Sequence, residues 1–146
     1  MNYAPSKTGV GHSVMRLLKE VHLSIFVLFY RMSRWTSNMK AYSAVAGVSI
    51  VECVLAISFA TLAQLITGYR FEWNRLVAGI AILSLFLVNS HFLADRGSGI
   101  VFEKEFRNFT TAKRTILYLA AIGIVLMSGT TLYFSVTAYH RTFGIH

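Results

Sequence analysis

The sequence is poor in charge, in cysteine and in proline. Only 14% of its 146 residues are charged and six residues are acidic, whereas a soluble domain of ordinary composition carries about 25% charged residues. Because 55% of the residues are hydrophobic and the mean hydropathy is +0.55, the chain has too few polar side chains to cover a water-facing surface. These shortages exclude a soluble globular domain and a disordered chain.

The single cysteine and the single proline exclude further features. Cys53 has no second thiol in the chain, so it forms no intramolecular disulfide and no multi-cysteine metal site. It lies inside an apolar run, where a small packed side chain is expected. Since Pro5 is the only proline, no later helix carries a proline kink.

Three long apolar runs are present, and each is long enough to cross a membrane as a helix, which takes about 20 residues. Each run is bounded by charged or turn-forming residues, and none shows the alternation of a barrel strand. The sequence therefore predicts an all-α integral membrane protein with a single membrane domain over residues 1–146. The predicted transmembrane spans are 41–68, 76–94 and 115–139.

A shorter apolar segment precedes the three spans. From residue 14 to residue 34, apolar side chains recur at helical spacing, and the charged residues fall mainly off that stripe. This pattern predicts an amphipathic N-terminal helix that lies in the membrane interface. A signal peptide is the competing interpretation, but basic residues follow the run where a small-residue cleavage site would be expected.

The basic residues predict the orientation of the spans. Eleven of the 14 Lys and Arg residues lie before the first span or between the second and third. Because basic loops stay on the cytoplasmic side, the N-terminus is expected inside and the C-terminus outside, in a bacterial inner membrane. Attraction to lipid headgroups accounts for the cluster of Arg31, Arg34 and Lys40, so nucleic acid is not an expected partner.

Glu52 is the most informative single residue. It lies about 12 residues past Lys40, or about 18 Å into a hydrocarbon core that is about 30 Å thick. An ionised, unpaired acid at that depth is costly, and no Lys or Arg of this chain reaches it. Three interpretations stay open: a hydrogen bond from a protonated Glu52 across helices, a pair with a basic residue of another chain, or a wet path for protons or ions.

Small residues beside Glu52 favour close packing of helices. Ser49 and Ala56 lie on the Glu52 face of the first span, Gln64 lies nearer its outer end, and Ser128 belongs to a comparable seam of the third span. Small side chains let another helix approach closely. These residues are therefore predicted to form a polar helix contact within the chain or with a partner, and one acid with one amide is few for an ion path.

The longest polar connection, residues 95–114, is predicted to be a cytoplasmic amphipathic segment. Phe102, Phe106 and Phe109 repeat at helical spacing, and Arg107 has an acidic residue four positions earlier, as in a helical ion pair. Anchoring at the membrane surface is one interpretation of this segment. A docking surface for a cytoplasmic partner is the other.

Two histidines raise the alternative of a b-type haem. His22 and His91 would lie near the cytoplasmic side on different helices, where two imidazoles could bind the iron. The segment from Asn89 to Leu119, in which a histidine and a charged loop precede the third span, resembles the cytochrome b anchor subunit of succinate dehydrogenase. The His-Arg-x-Ser-Gly motif of that family is absent, and Arg31-Met32-Ser33-Arg34 stands there instead, so the chain is not assigned to the family.

No motif of hydrolytic or phosphate-binding chemistry is present, so the sequence predicts a protein that is not an enzyme and has neither cofactor nor metal. The expected function is helix–helix association, as an accessory subunit of a larger membrane complex, a homo-oligomer, or an immunity-type protein against a membrane-active toxin. The expected partners are membrane lipids and other membrane-protein subunits or a second copy. The alternatives are a transporter or channel component in which Glu52 titrates and a haem-bearing redox anchor.

Overall fold

A computed structural model of the chain describes residues 9–33, 37–69 and 75–144. Within these ranges the chain forms helices and no strand. The helices are α1 (Gly9–Met32), α2 (Ser37–Thr67), α3 (Arg75–Asn89), α4 (Ser98–Asn108) and α5 (Thr111–Phe143). A π-helical turn over Ser90–Asp95 continues α3.

Three helical segments among the described residues are long and apolar enough to cross a membrane, which confirms the prediction of three such helices. They are Met39–Thr67 in α2, Ala78–Asp95 in α3 and its π-helical turn, and Thr111–Thr142 in α5. A helix satisfies its own backbone polar groups, which is what a segment in lipid requires. The length and composition of these helices are those of a membrane protein.

α2 is the central helix, because both α3 and α5 pack against it. Ser128 of the predicted seam in the third span is buried inside the chain, and so are Ala121 and Ser135, seven residues before and after it on α5. Since small side chains let two helix backbones approach closely, the seam of the third span is used within this chain.

α1 packs against α2, α4 and α5. Its first half is exposed, including the apolar residues Val14, Leu17 and Leu18, whereas the five residues from Leu23 to Val27 are buried. A helix that lies on a membrane surface buries one stripe along its length, but this part of α1 is buried on every side. The second half of α1 therefore belongs to the protein core, and the interfacial position of the first half stays a prediction.

Aromatic rings fill the contact between α1, α4 and the start of α5. Phe106 is fully buried and meets Tyr118 edge to face, with ring centroids 4.9 Å apart. Phe102 and Phe109 pack against Phe106. The chain reverses at Gly97, whose φ of 69° suits glycine, and α4 folds back onto α1. The three phenylalanines thus form a cluster that packs within the chain, and docking of a cytoplasmic partner at this segment stays a prediction.

We predict that Gly47→Ala destabilises the packing of α1 on α2. A β-carbon at residue 47 would lie 2.5 Å from Cγ of Phe29, and such overpacking costs about 1–3 kcal/mol. Gly123→Ala in α5 is the matched control, because nothing lies within 4 Å of its β-carbon position. Thermal unfolding in detergent should give a lower midpoint for Gly47→Ala alone. Equal midpoints for the two variants would contradict the described packing.

Candidate functional site

Glu52 lies in the middle of α2, and each of its carboxylate oxygens has a partner on another helix. The Nδ2 group of Asn89, the last residue of α3, donates to Oε2 at 2.5 Å. Nδ1 of His22 in α1 lies 3.3 Å from Oε1. The acid therefore connects both α1 and α3 to α2.

Asn89 is the donor at the centre of this Glu52 cluster, which consists of His22, Ser49, Glu52 and Asn89. Its Nδ2 group also donates to Oγ of Ser49 at 3.1 Å, and Ser49 lies about one helical turn before Glu52. Ser49 and Asn89 are buried, whereas the side chains of His22 and Glu52 keep 37% and 29% of their surface exposed. A buried polar group without a partner costs about 1–3 kcal/mol, so these bonds stabilise the packing of α3 on α2.

The partners of Glu52 come from within the chain. Asn89 donates a hydrogen bond to Glu52 across helices, and His22 lies within ion-pair distance of it, whereas a hydrogen bond donated by a protonated Glu52 stays a prediction. Sequence reasoning missed Asn89 because an amide 37 residues away carries no local signal. Its position offers one signal: Asn89 lies near the end of the apolar run that follows α2. Because consecutive spans run antiparallel, the end of that run lies alongside the first half of α2.

The two histidines of the haem alternative have different surroundings. His22 contacts Glu52, and no described contact joins it to His91. His91 is exposed in the π-helical turn, where its ring meets Phe92 edge to face with centroids 5.5 Å apart. Over residues 9–33, 37–69 and 75–144, no group of three or more His, Cys, Asp or Glu residues is placed to hold a metal ion.

Three other residues of the predicted helix contact lie away from the Glu52 cluster. Ala56 and Gln64 line a cavity between α2, α3 and α5. Gln64 is buried, and its Oε1 atom has no hydrogen-bond partner among the described residues. Ser128 is buried in α5, and its hydroxyl donates to the carbonyl oxygen of Val125. The structure thus separates the predicted set into a polar cluster, a cavity wall and a buried seam.

A second polar cluster joins α1 to α4. Glu103 is buried, and its Oε1 atom accepts from Nε of Arg107 at 2.9 Å and from Nη2 of Arg31 at 3.3 Å. The guanidinium of Arg31 also lies 5.5 Å and 5.7 Å from the ring centroids of Phe106 and Tyr118, within the range of cation–π attraction. The hydrogen bond to Glu103 raises the pKa of Arg107, so that guanidinium stays charged.

The basic residues predicted to contact lipid headgroups have different outcomes. Arg31 is engaged by Glu103 and by two aromatic rings. Lys40 is half-buried near the start of α2, and Arg34 lies outside the described residues. Contact of this cluster with headgroups therefore stays a prediction.

Two further polar contacts connect helices in the same part of the molecule. Nζ of Lys113, near the start of α5, lies 3.0 Å from Oε2 of Glu20 in α1. The hydroxyl of Tyr42 in α2 donates to Oδ1 of Asp95 at 2.9 Å. Ion pairs and hydrogen bonds therefore connect α1 with α4 and with the start of α5, and the start of α2 with the π-helical turn. We name this region the charged end.

The Glu52 cluster has two chemical capacities. A carboxylate, an imidazole and an amide in contact can hold helices together, and the carboxylate and imidazole can each bind a proton. Comparisons of the chain with models of protein families, with curated proteins and with solved structures find no match. The choice between these capacities therefore depends on the geometry of the chain and on experiment.

We predict that Asn89→Leu lowers the free energy of unfolding by about 1–3 kcal/mol, because it leaves Oε2 of Glu52 without a donor. Ser49→Ala removes the 3.1 Å contact only and should cost less. The double variant Glu52→Leu, Asn89→Leu should recover part of the loss, since no unpaired acid remains. Unfolding in mixed micelles measures these variants together with the single variant Glu52→Leu. A double variant as unstable as the sum of its single variants would argue against the pairing.

Proposed function

We propose that this chain is a non-enzymatic integral membrane protein that works by binding a transmembrane helix of another subunit or of a second copy. The observation that carries the proposal is a groove of about 430 Å³ between α2 and α3. The described residues leave this groove unfilled, and its lining is almost entirely apolar. Small residues on its walls include Ala46, Ser49, Cys53 and Gly79.

The small residues explain why a helix would fit this groove. Gly79 has nothing within 4 Å of the position that a β-carbon would take, so a second backbone can approach α3 there. Within lipid, the hydrophobic effect does not drive apolar helices together, and close packing at small residues is the main source of affinity. The groove supplies that kind of surface on both of its walls.

The Glu52 cluster supports this function by fixing the two walls of the groove. Asn89 ties the end of α3 to α2 through Glu52 and Ser49, and Ser49 also lines the groove. A binding surface gains affinity when its walls are already in place before the partner arrives. The proposed roles are an accessory subunit of a larger membrane complex or a homo-oligomer, and binding of a membrane-active toxin by an immunity-type protein is a third form.

We also propose that the charged end faces the cytoplasm and that the membrane is a bacterial inner membrane. The distribution of Lys and Arg supports this orientation. In the pairs Glu20–Lys113 and Arg31–Glu103, basic side chains from both of the segments predicted to be cytoplasmic contact acids of α1 and α4. Membrane lipids are the remaining proposed partners, and no nucleic acid is proposed.

Filling the groove should abolish assembly. Gly79→Leu places a large side chain in the groove, whereas Gly123→Leu places the same side chain on α5, where nothing lies within 4 Å of the β-carbon position. Size-exclusion chromatography with light scattering, in mild detergent, should give a complex for the wild-type chain and for Gly123→Leu. Gly79→Leu should elute with the mass of one chain.

Mass spectrometry of the complex distinguishes its two forms. Only this chain is expected from a homo-oligomer, and a second membrane protein is expected from a larger complex. A wild-type chain with the mass of one copy, purified without any other membrane protein, would contradict the proposal. So would a Gly79→Leu variant that retains the wild-type mass.

A second function has one observation in its favour. His22 and Glu52 are both titratable, they are 3.3 Å apart, and each keeps about a third of its side-chain surface exposed. The alternative proposal is a transporter or channel component in which Glu52 takes up and releases a proton.

Glu52→Gln separates the two functions, because glutamine retains a hydrogen-bonding oxygen and cannot ionise. Under the leading proposal, vesicles containing the wild-type chain should show no more proton flux than empty vesicles, and Glu52→Gln should keep the wild-type complex mass. Flux that requires the wild-type chain and disappears in Glu52→Gln would favour the transporter instead.

A further inference from the structure

The first half of α1 carries apolar and basic side chains on different sides of one helix. Val14, Leu17 and Leu18 are spaced so that they share a face, and each of them is exposed over half of its surface or more. Arg16 and Lys19 are also exposed, and they lie three positions apart on the opposite side of the helix. This half of α1 therefore has the division of a helix that lies on a membrane surface.

An ion pair fixes where this half of α1 meets the rest of the chain. Nζ of Lys113, in the first turn of α5, lies 3.0 Å from Oε2 of Glu20. The candidate membrane span of α5 begins at Thr111. Lys and Arg near the end of a span keep their charges in the interface. Lys113 therefore places Glu20, and the helix half that precedes it, at the membrane surface.

This ion pair lies within a group of four basic residues, which we name the basic junction. Nε of Arg16 donates to Oε1 of Glu20 at 3.3 Å, Lys19 precedes Glu20, and Arg114 follows Lys113. Among the described residues, Glu20 is the only acid that contacts any of the four. An excess of positive charge therefore lies next to the exposed apolar face of α1. The members of the basic junction are Arg16, Lys19, Lys113 and Arg114.

An anionic phospholipid has the two parts that such a surface requires. Its phosphate complements the excess of cations, since basic side chains near the membrane are attracted to anionic headgroups. Its acyl chains cover exposed apolar side chains such as Leu17. A nucleic acid or a soluble acidic peptide would neutralise the cations but leave the neighbouring apolar face in water.

We propose that the basic junction and the apolar face formed by Val14, Leu17 and Leu18 bind a phospholipid with a net negative headgroup. The bound lipid holds the first half of α1 on the membrane beside the start of α5. This inference rests on the proposed membrane location, and it names the class of lipid among the proposed partners. None of these described residues lines the groove between α2 and α3, so lipid binding is separate from helix association.

Native mass spectrometry of the full chain in mild detergent tests the preference for a negative headgroup. Phosphatidylglycerol and phosphatidylcholine with identical acyl chains are added in equal amounts, and the lipids that stay bound are counted. The wild-type chain should retain phosphatidylglycerol in preference to phosphatidylcholine. Soluble glycerol 3-phosphate, which has a charged phosphate and no acyl chain, should not displace the lipid.

Two variants assign this preference to the basic junction. Lys19→Gln and Arg114→Gln each remove one charge without breaking a described ion pair. Each should weaken the binding of phosphatidylglycerol about fivefold, which is the contribution of one basic residue near an anionic surface. Lys104→Gln is the matched control, because Lys104 is an exposed basic residue of α4 and its loss changes the total charge equally. This control should bind phosphatidylglycerol like the wild type.

Hydrogen–deuterium exchange locates the bound lipid. In nanodiscs that contain phosphatidylglycerol, the amides of residues 9–19 should exchange more slowly than in nanodiscs of phosphatidylcholine alone. The reason is that a bound lipid suppresses local opening of a helix half that the protein leaves exposed. Residues 23–27, which the protein itself buries, should exchange equally in both lipids.

Four results would overturn the proposal. They are equal binding of the two lipids by the wild-type chain, equal losses in Lys104→Gln and Lys19→Gln, displacement of the lipid by glycerol 3-phosphate, and equal exchange of residues 9–19 in both nanodiscs. Equal losses would make the attraction a property of total charge, and displacement would make a free phosphate compound the ligand. Light scattering of the same samples reports the complex mass, so failure of the lipid site is distinguished from failure of helix association.

Discussion

Glu52 can lie in the middle of an apolar helix because both of its carboxylate oxygens meet a side chain from a neighbouring helix. Hydrocarbon offers a carboxyl group no water, so its partners must come from protein. Here they are Asn89 and His22, and each fixes a different helix against α2. The groove and the cavity both lie beside α2 and α3, so the shape of each depends on how this one acid holds its neighbours.

Other acidic residues of the chain also connect one helix to another. The chain has only six acids, and five of them lie in the described residues. Four of these five contact a residue of another helix; they are Glu20, Glu52, Asp95 and Glu103. Most of the described acidic side chains thus lie where they connect two helices.

The sequence predicts the parts of this fold that depend on local pattern. Apolar runs bounded by charge give the three long helices, the spacing of Phe102, Phe106 and Phe109 indicates a helix where α4 lies, and depth in an apolar run identifies Glu52. Which element packs against each helix face depends on the tertiary structure, which local pattern does not determine. The stripe of α1 shows which side chains are apolar, but the same pattern fits a membrane surface and a protein core.

The cavity beside Gln64 could not be predicted for a related reason. Gln64 is visible in the sequence as a polar residue in a span, yet the space beside it depends on how far α3 stands from α5. No residue type encodes that separation, because it results from the packing of both helices on α2. The π-helical turn after Asn89 has likewise no signal in the apolar pattern.

The burial of α1 has a consequence for biosynthesis. α1 is translated before α2 to α5, but residues that cover it come much later: the backbone of Gly99 lies against the ring of Phe26, and Lys113, which pairs with Glu20, follows it by 93 positions. At about 5–20 residues per second, the ribosome takes seconds to supply α4 and the start of α5. During that interval the segment Leu23–Val27 has only α2 to cover it. The contacts of α1 with α4 and α5 therefore form only after those helices are made, and a prematurely terminated chain would leave this segment without them.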